Sequence, residues 1–419
     1  MRRVLLVVTV LAALGIFVST SSAQVQLLAI GTLTSSSAGP NADLSGLTNT
    51  LENGAPANLL GGFGSGITWA SGNTFLAVPD RGPNAVSWAS SLDDTVAYIE
   101  RFHTITMDLE LNSGAGLPFT LTPTLQRTTL FFSPSPLVYG AGGEVDDLGS
   151  TIGSSVPPQN RPSRNYFTGR SDDFDPLGTS GDPKDARLDS EGIRVSNDGV
   201  FVYTSDEYGP YVNEWLRATG QRVRSFRLPD SFYISNLSPV GNNEISGNTS
   251  GRVANKGMEG LAITPDGRTL VGIVQNSLIQ DANEGGAAAK LLRIVTIDRT
   301  SGKVTHQYAY LLTTGSGVSE IVALNNHEFL VDERDGNGRA SQNDAKVKHL
   351  FKIDLAGAVD VSNMDGLAAA ANAVNKTLFL DIVNVLTANG VSAGLIPAKI
   401  EGLSFGLDVK WNGSTVHTL

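Results

Sequence analysis

Apolar and polar residues alternate in short runs along most of the chain, and Asn, Asp and Gly punctuate the runs. That period of two is the signature of half-buried β-strands joined by tight turns. Four runs open alike: Glu191-Gly-Ile-Arg-Val, Glu259-Gly-Leu-Ala-Ile, Glu320-Ile-Val-Ala-Leu and Glu401-Gly-Leu-Ser-Phe. Three of them continue into a turn and a returning strand, through Asn197-Asp198-Gly199, Pro265-Asp266-Gly267 and Asn325-Asn326. Asn, Asp and Gly supply the positive φ or side-chain hydrogen bond that such hairpins need. A further copy starts at Gly66, with glycine where the others have glutamate, turns at Ser71-Gly72-Asn73 and returns through Thr74 to Val78. Helical periodicity is confined to the alanine-rich stretch 364–374, which predicts one short surface helix.

The copies are spaced by 68, 61 and 81 residues, with 125 before them. Recurrence at long period is how radially repeated folds show themselves in sequence. The expectation is an all-β fold, a β-propeller. The 125-residue interval suggests two blades with one degenerate copy, hence six blades, with five or seven left open because 131–185 is rich in Pro, Gly, Ser and Asp and reads as an irregular insertion.

Composition narrows the classes of function. The chain has 419 residues, no cysteine, 46 glycines and a formal net charge of −11. Disulfides, thiolate metal sites and cysteine nucleophiles are excluded, and the acidity disfavours nucleic acid as a partner. Arg2 and Arg3, an apolar run to Val18 and the small residues Ser21-Ser22-Ala23 follow the order of a secretory signal. The expected organisation is therefore a signal peptide over 1–23 and one domain over 24–419, secreted or periplasmic, monomeric, and with no membrane association once the signal is removed.

In an antiparallel hairpin the residue opening the first strand lies beside the one closing the second. Second strands close on Asp206-Glu207, on Asp332-Glu333-Arg334-Asp335, on Gln275-Asn276 and on Asp80-Arg81. Both ends of each hairpin thus bring acids or amides to one rim, and ring symmetry aims the rims at one channel mouth. The candidate ring is Glu191, Glu259, Glu320 and Glu401, and with Asp206, Glu207, Asp332 and Asp335 it forms the candidate metal-ligand set. A hard cation such as Ca2+ is the cofactor these oxygens suit. Arg81, Lys256 and Arg334 are the candidate cationic contacts to substrate, with Arg187 and Lys399 as further neutralisers. Two other readings of the same residues remain open: the Glu-Gly pair as a turn formula in which carboxylates cap backbone amides, and acids and bases that only pair with one another. The five histidines show no metal-ligand spacing, and no Gly-x-Ser-x-Gly elbow occurs.

Several stretches resemble the phytase-like domain family, often described as having esterase-like activity of phytase. They are Gly66-Ile-Thr-Trp, Phe75 to Asn84, Arg101-Phe-His-Thr-Ile105, Leu188-Asp-Ser-Glu-Gly-Ile193, Ser205-Asp-Glu-Tyr-Gly-Pro210 and Gly257-Met-Glu-Gly-Leu261. The resemblance implies a secreted or periplasmic propeller and a hydrolase acting on a small-molecule ester. By analogy with phytase, cations on the acidic rim would neutralise a phosphate ester and activate water. The alternatives are a lactone or carboxylic ester hydrolase, and a non-catalytic ligand-binding propeller.

Overall fold

A computed structural model describes the chain except for residues 1–24, 34–41, 62, 83–94, 141–143, 146–150, 153–155, 176 and 340, and gives only the backbone of 144, 145, 151 and 152. The expected signal peptide lies outside the described residues.

Consecutive hairpins build the sheets. The first blade is β1 (Phe63–Ser71), β2 (Thr74–Pro79), β3 (Arg101–Leu111) and β4 (Phe119–Leu130), in that order. Four two-residue strands follow, β5 (Phe132–Ser133), β6 (Glu144–Val145), β7 (Thr151–Ile152) and β8 (Asn165–Tyr166), in an otherwise irregular stretch. The second blade is β9 (Ser190–Val195), β10 (Phe201–Asp206), β11 (Tyr211–Leu216) and β12 (Gln221–Arg227), extended on its outer edge by β5 and β8. The third is β13 (Met258–Ile263), β14 (Thr269–Val274), β15 (Leu291–Asp298) and β16 (Val304–Leu311). The fourth is β17 (Gly317–Ala323), β18 (Glu328–Arg334), β19 (Lys348–Asp354) and β20 (Lys376–Asp381). A hairpin of β21 (Val409–Trp411) and β22 (Ser414–Val416) ends the chain.

The all-β propeller expectation holds, but the described residues contain four such blades and not six. The 125-residue interval holds one blade with long outer strands and the irregular insertion, so spacing alone overstated the count. The fourth repeat copy has no four-stranded sheet of its own. Its extended segment 401–405 instead lies between the fourth and first blades: the amide of Gly402 donates to Gly64 O at 3.0 Å, that of Trp69 donates to Ser404 Oγ at 2.8 Å, and Leu403 packs with Val322, Leu330 and Leu350. The innermost strands β1, β9, β13 and β17 together with this segment surround the axis.

Burial explains the strand patterns. Middle strands have neighbours on both sheet faces, so β14 is apolar almost throughout and buried after its first residue. The outer strand β4 alternates half-buried and exposed positions along most of its length. Among the described residues the α-helices are short: α1 (Gly241–Gly247), α2 (Ile279–Ala282), α3 (Gly366–Ala370) and α4 (Ile382–Ala388). The predicted helix over 364–374 is realised as α3 alone, with Ala369 and Ala370 buried against Leu291 and Ala309. Among the described residues no helix is long and apolar enough to cross a membrane.

Gly66, Gly192, Gly260 and Gly402, at equivalent places on four inner segments, have a packing role. A Cβ on Gly66 would lie 2.3 Å from Glu191 O, on Gly192 2.7 Å from Leu261 N, on Gly260 2.8 Å from Ile321 N, and on Gly402 2.7 Å from Ile67 N. Each contact is with the next segment around the axis. Glycine there lets successive inner strands approach closely enough to close a narrow ring.

Candidate active site

The hairpin register defines two sets of equivalent rim positions. Ile193 faces Thr204 with a bulge before it, Gly260 faces Ile273 after a bulge, and Glu320 faces Asp332 after a bulge. The amide of Glu207 donates to Asp189 O and that of Gln275 to Gly257 O, while Arg334 pairs with Gly317. The inner-strand rim positions are therefore Ser65, Glu191, Glu259, Ser319 and Glu401, and the second-strand positions are Asp80, Glu207, Gln275 and Arg334.

Glu320 is consequently displaced by one residue from the ring the repeats suggested. It occupies the place that glycine takes in the other copies and turns away from the mouth. Its carboxylate accepts from the amides of Leu261 and Ile321 and meets Arg194 Nη2 at 3.0 Å. Arg194 also donates to Ile67 O and Ile321 O, so one side chain ties β9 to β1 and, across the axis, to β17. Beyond this pair, on the side of the hairpin turns, lies a separate cavity of about 350 Å3 lined by Trp69, Val195, Ile263, Val322 and Phe405.

The mouth itself is crowded with acids. Ligand oxygens of Asp189, Glu191 and Glu207 lie within 4.8 Å of one another, and all three residues are buried. Asp189 was not among the sequence candidates; the signal was present as the acid two positions before Glu191. Arg81 joins this group: its amide donates to Asp189 Oδ1 at 2.9 Å, and its Nη1 lies 2.5 Å from Asp189 Oδ2 and 3.7 Å from Glu207 Oε2. Arg334 Nη2 lies 3.4 Å from both Glu259 and Glu401, and its Nε donates to Ser319 Oγ. Lys399 Nζ is 3.2 Å from Glu401. The expected convergence of Glu191, Glu207, Glu259, Glu401, Arg81 and Arg334 is thus present in the geometry.

Other candidates sit elsewhere. Lys256 is exposed on the turn before β13. Asp335 binds Lys348 Nζ and the amides of Lys346 and Val347, so it organises its own loop. Asp206 lies beneath the mouth, accepting from the amides of Asp189 and Tyr208. Asp332 is fully buried beside Glu320 with neither oxygen hydrogen-bonded. Arg187 pairs with Glu244, away from the repeat glutamates.

Burial governs the electrostatics. It raises the carboxyls of Glu191 and Glu207 well above the ordinary range, and Glu259 and Asp189 add repulsion to both. Burial pushes Glu259 up to about 7, with Glu401 adding and Arg334 opposing. Asp80 rises to about 6 through burial, against the pull of Arg81. Glu100, just before β3, is raised by burial and then by Asp189 and Asp80, and neither of its oxygens has a donor. Glu207 Oε1 and Glu259 Oε2 also lack a donor. Buried carboxylate oxygens without donors, held together and without imidazole or thiolate, suit a hard divalent cation, which supplies the missing charge and coordination. Asp189, Glu191 and Glu207 would hold it.

Sheets arranged blade by blade around a plugged axis, with carboxylates gathered at one mouth, define a β-propeller with an acidic central site. The chain belongs to the phytase-like family, whose model, described as esterase-like activity of phytase, matches residues 58–418. An uncharacterized secreted protein of Arthroderma benhamiae is 29% identical over 333 residues, covering 68% of this chain and 61% of that one. The chain thus spans about three fifths of that relative's length. Among solved structures, the chain is similar to a periplasmic gluconolactonase of Pseudomonas aeruginosa at 11% identity and TM-score 0.31, over 74% of this chain and 70% of that one. It is also similar to a putative 6-phosphogluconolactonase from Bacteroides uniformis at 13% identity and TM-score 0.30, with the same coverage. Likeness of that order fixes no activity.

Proposed function

We propose that this protein is a divalent-cation-dependent ester hydrolase whose reaction takes place at the acidic mouth. The observation that carries the reading is the trio Asp189, Glu191 and Glu207, buried together, with donor-less oxygens on Glu207 and the adjoining Glu259. Family membership supports hydrolysis as the class of reaction. Calcium is the cation of choice because every offered ligand is a carboxylate oxygen. Bound there, the cation would lower the pKa of water and polarise an ester oxygen. Arg81 orients Asp189 and Glu207 through its paired contacts. Glu259, with one oxygen held by Arg334 and the other free, is placed to accept the proton of the attacking water. Export as a monomeric enzyme completes the reading, and the secreted relative supports the location.

The test is calcium titration of the chelator-treated full chain, followed by melting and by turnover of an ester panel. Calcium at a hundredfold excess over Kd should stabilise the fold by about 2.7 kcal/mol. Asp189→Asn and Glu207→Gln should weaken calcium affinity at least tenfold, and Glu259→Gln should lose activity while remaining folded. A melting point indifferent to calcium, with a fully active Glu259→Gln, would leave a salt-bridged mouth in a binding propeller.

A further inference from the structure

The charges at the mouth also bear on which esters can enter it, and this inference rests on the hydrolase reading above. Facing one another there are the acids Asp80, Glu100, Asp189, Glu191, Glu207, Glu259 and Glu401 and the bases Arg81, Arg334 and Lys399. Each base is already in contact with acid: Arg81 with Asp189 and Glu207, Arg334 with Glu259 and Glu401, and Lys399 with Glu401. Arg81 and Arg334 are nearly buried, at 14% and 8% side-chain exposure, so they have little freedom to leave these partners. Among the described bases at the mouth, Lys399, at 53%, is the one with freedom to swing toward a ligand.

A phosphate monoester carries up to two negative charges and is recognised by several guanidinium or ammonium donors, or by more than one metal ion. Here one cation would answer to three carboxylates of its own trio, and Arg81 and Arg334 are already held by acids, so a dianion would find few donors. An uncharged ester needs no such set of donors. Its single carbonyl oxygen needs one Lewis acid, and its alkoxy and acyl arms need no counter-charge.

We infer that the substrate of this mouth is an uncharged carboxylic ester, open-chain or lactone, and not a phosphate monoester. In the reaction the oxygen of water bonds to the acyl carbon and the acyl carbon–alkoxy oxygen bond breaks. One water proton passes by way of Glu259 to the departing alkoxide, giving an acid and an alcohol, or a hydroxy acid from a lactone. Nothing is oxidised or reduced.

The experiment uses the full chain loaded with calcium and compares an aryl acetate and a simple lactone with an aryl phosphate, with inorganic phosphate as competitor. Calcium-dependent turnover of the neutral esters, at least a hundredfold above the aryl phosphate in kcat/KM, with no inhibition by millimolar phosphate, is expected. The variant Glu401→Gln removes one negative charge and releases Lys399, so phosphate should become about tenfold more inhibitory, the factor expected for one charge about 6 Å from a dianion even under water-like screening. Calcium-dependent hydrolysis of the aryl phosphate at comparable efficiency would overturn the substrate inference and leave the hydrolase reading standing. Calcium binding without turnover of either class would remove the hydrolase reading itself.

Discussion

Replacing Gly192 by alanine tests the ring closure directly. The added methyl would sit 2.7 Å from Leu261 N and 2.8 Å from Leu261 Cβ, with Ser205 Oγ at 3.1 Å. Carbon atoms in good contact stand about 3.5 to 4.0 Å apart, so β9 and β13 would have to separate by roughly 0.7 Å or more. Backbone at the contact cannot rotate aside as a long side chain can. Overpacking of this kind costs about 1–3 kcal/mol. Alanine also restricts the unfolded chain, which returns about 0.4–1 kcal/mol where the backbone tolerates it. The net expectation is a destabilisation of about 1–2 kcal/mol, read as a lower urea midpoint with an unchanged slope. Gly336→Ala serves as the control, because no heavy atom lies within 4 Å of its added Cβ and its φ is not positive. If Gly192→Ala is no less stable than Gly336→Ala, the close approach of inner strands is not what the repeated glycine provides.

Arg194→Met should cost about 3–5 kcal/mol, because it strands the buried Glu320 carboxylate, and adding Glu320→Gln should recover more than half; urea melts in which the double variant is no better than the single would refute the pairing. Burial holds Glu259 and Asp206 at about 7 and Asp80 at about 6, above their unfolded values of 4.5, 3.8 and 3.8, so the metal-free fold binds protons that the unfolded chain has released. The stability these groups contribute should therefore be full below about pH 3.8 and fall as pH rises toward 7, with calcium flattening the slope; a contribution in chelator that rises between pH 4.5 and 7 would contradict the sign. Asp335→Asn should loosen the loop held by Lys348 yet leave calcium affinity within about twofold, since its carboxylate is engaged by Lys348 and by the amides of Lys346 and Val347; a tenfold loss measured by calorimetry would place Asp335 in the metal site after all.

The hairpins were legible in sequence because turn chemistry and strand alternation agree at each copy that returns, as at Asn197-Asp198-Gly199. The register inside a hairpin was not. Glu320-Ile-Val-Ala-Leu reads like Glu259-Gly-Leu-Ala-Ile, yet the bulge in β17 falls so that Ser319 takes the rim and Glu320 turns toward Arg194. A one-residue offset inverts the direction of a strand side chain, and no local signal in that stretch reports it. Asp189 and Glu100 were missed for a different reason: each precedes a strand, where an acid reads as an ordinary turn residue until the ring brings Asp189 beside Glu207 and Glu100 near Asp189 and Asp80. The blade count failed because the segment after β4 feeds its short strands onto the second blade's outer edge instead of forming a blade.

The contact between Arg194 and Glu320 across the axis divides what would be a through-hole into two blind wells set back to back. Traffic at the acidic well is then one-way-in, same-way-out: an arriving molecule and the fragments leaving it share a single doorway. Release of the larger fragment must precede the next arrival. The cavity behind the plug, lined by Trp69, Ile263 and Phe405, is set apart from the carboxylates by that pair.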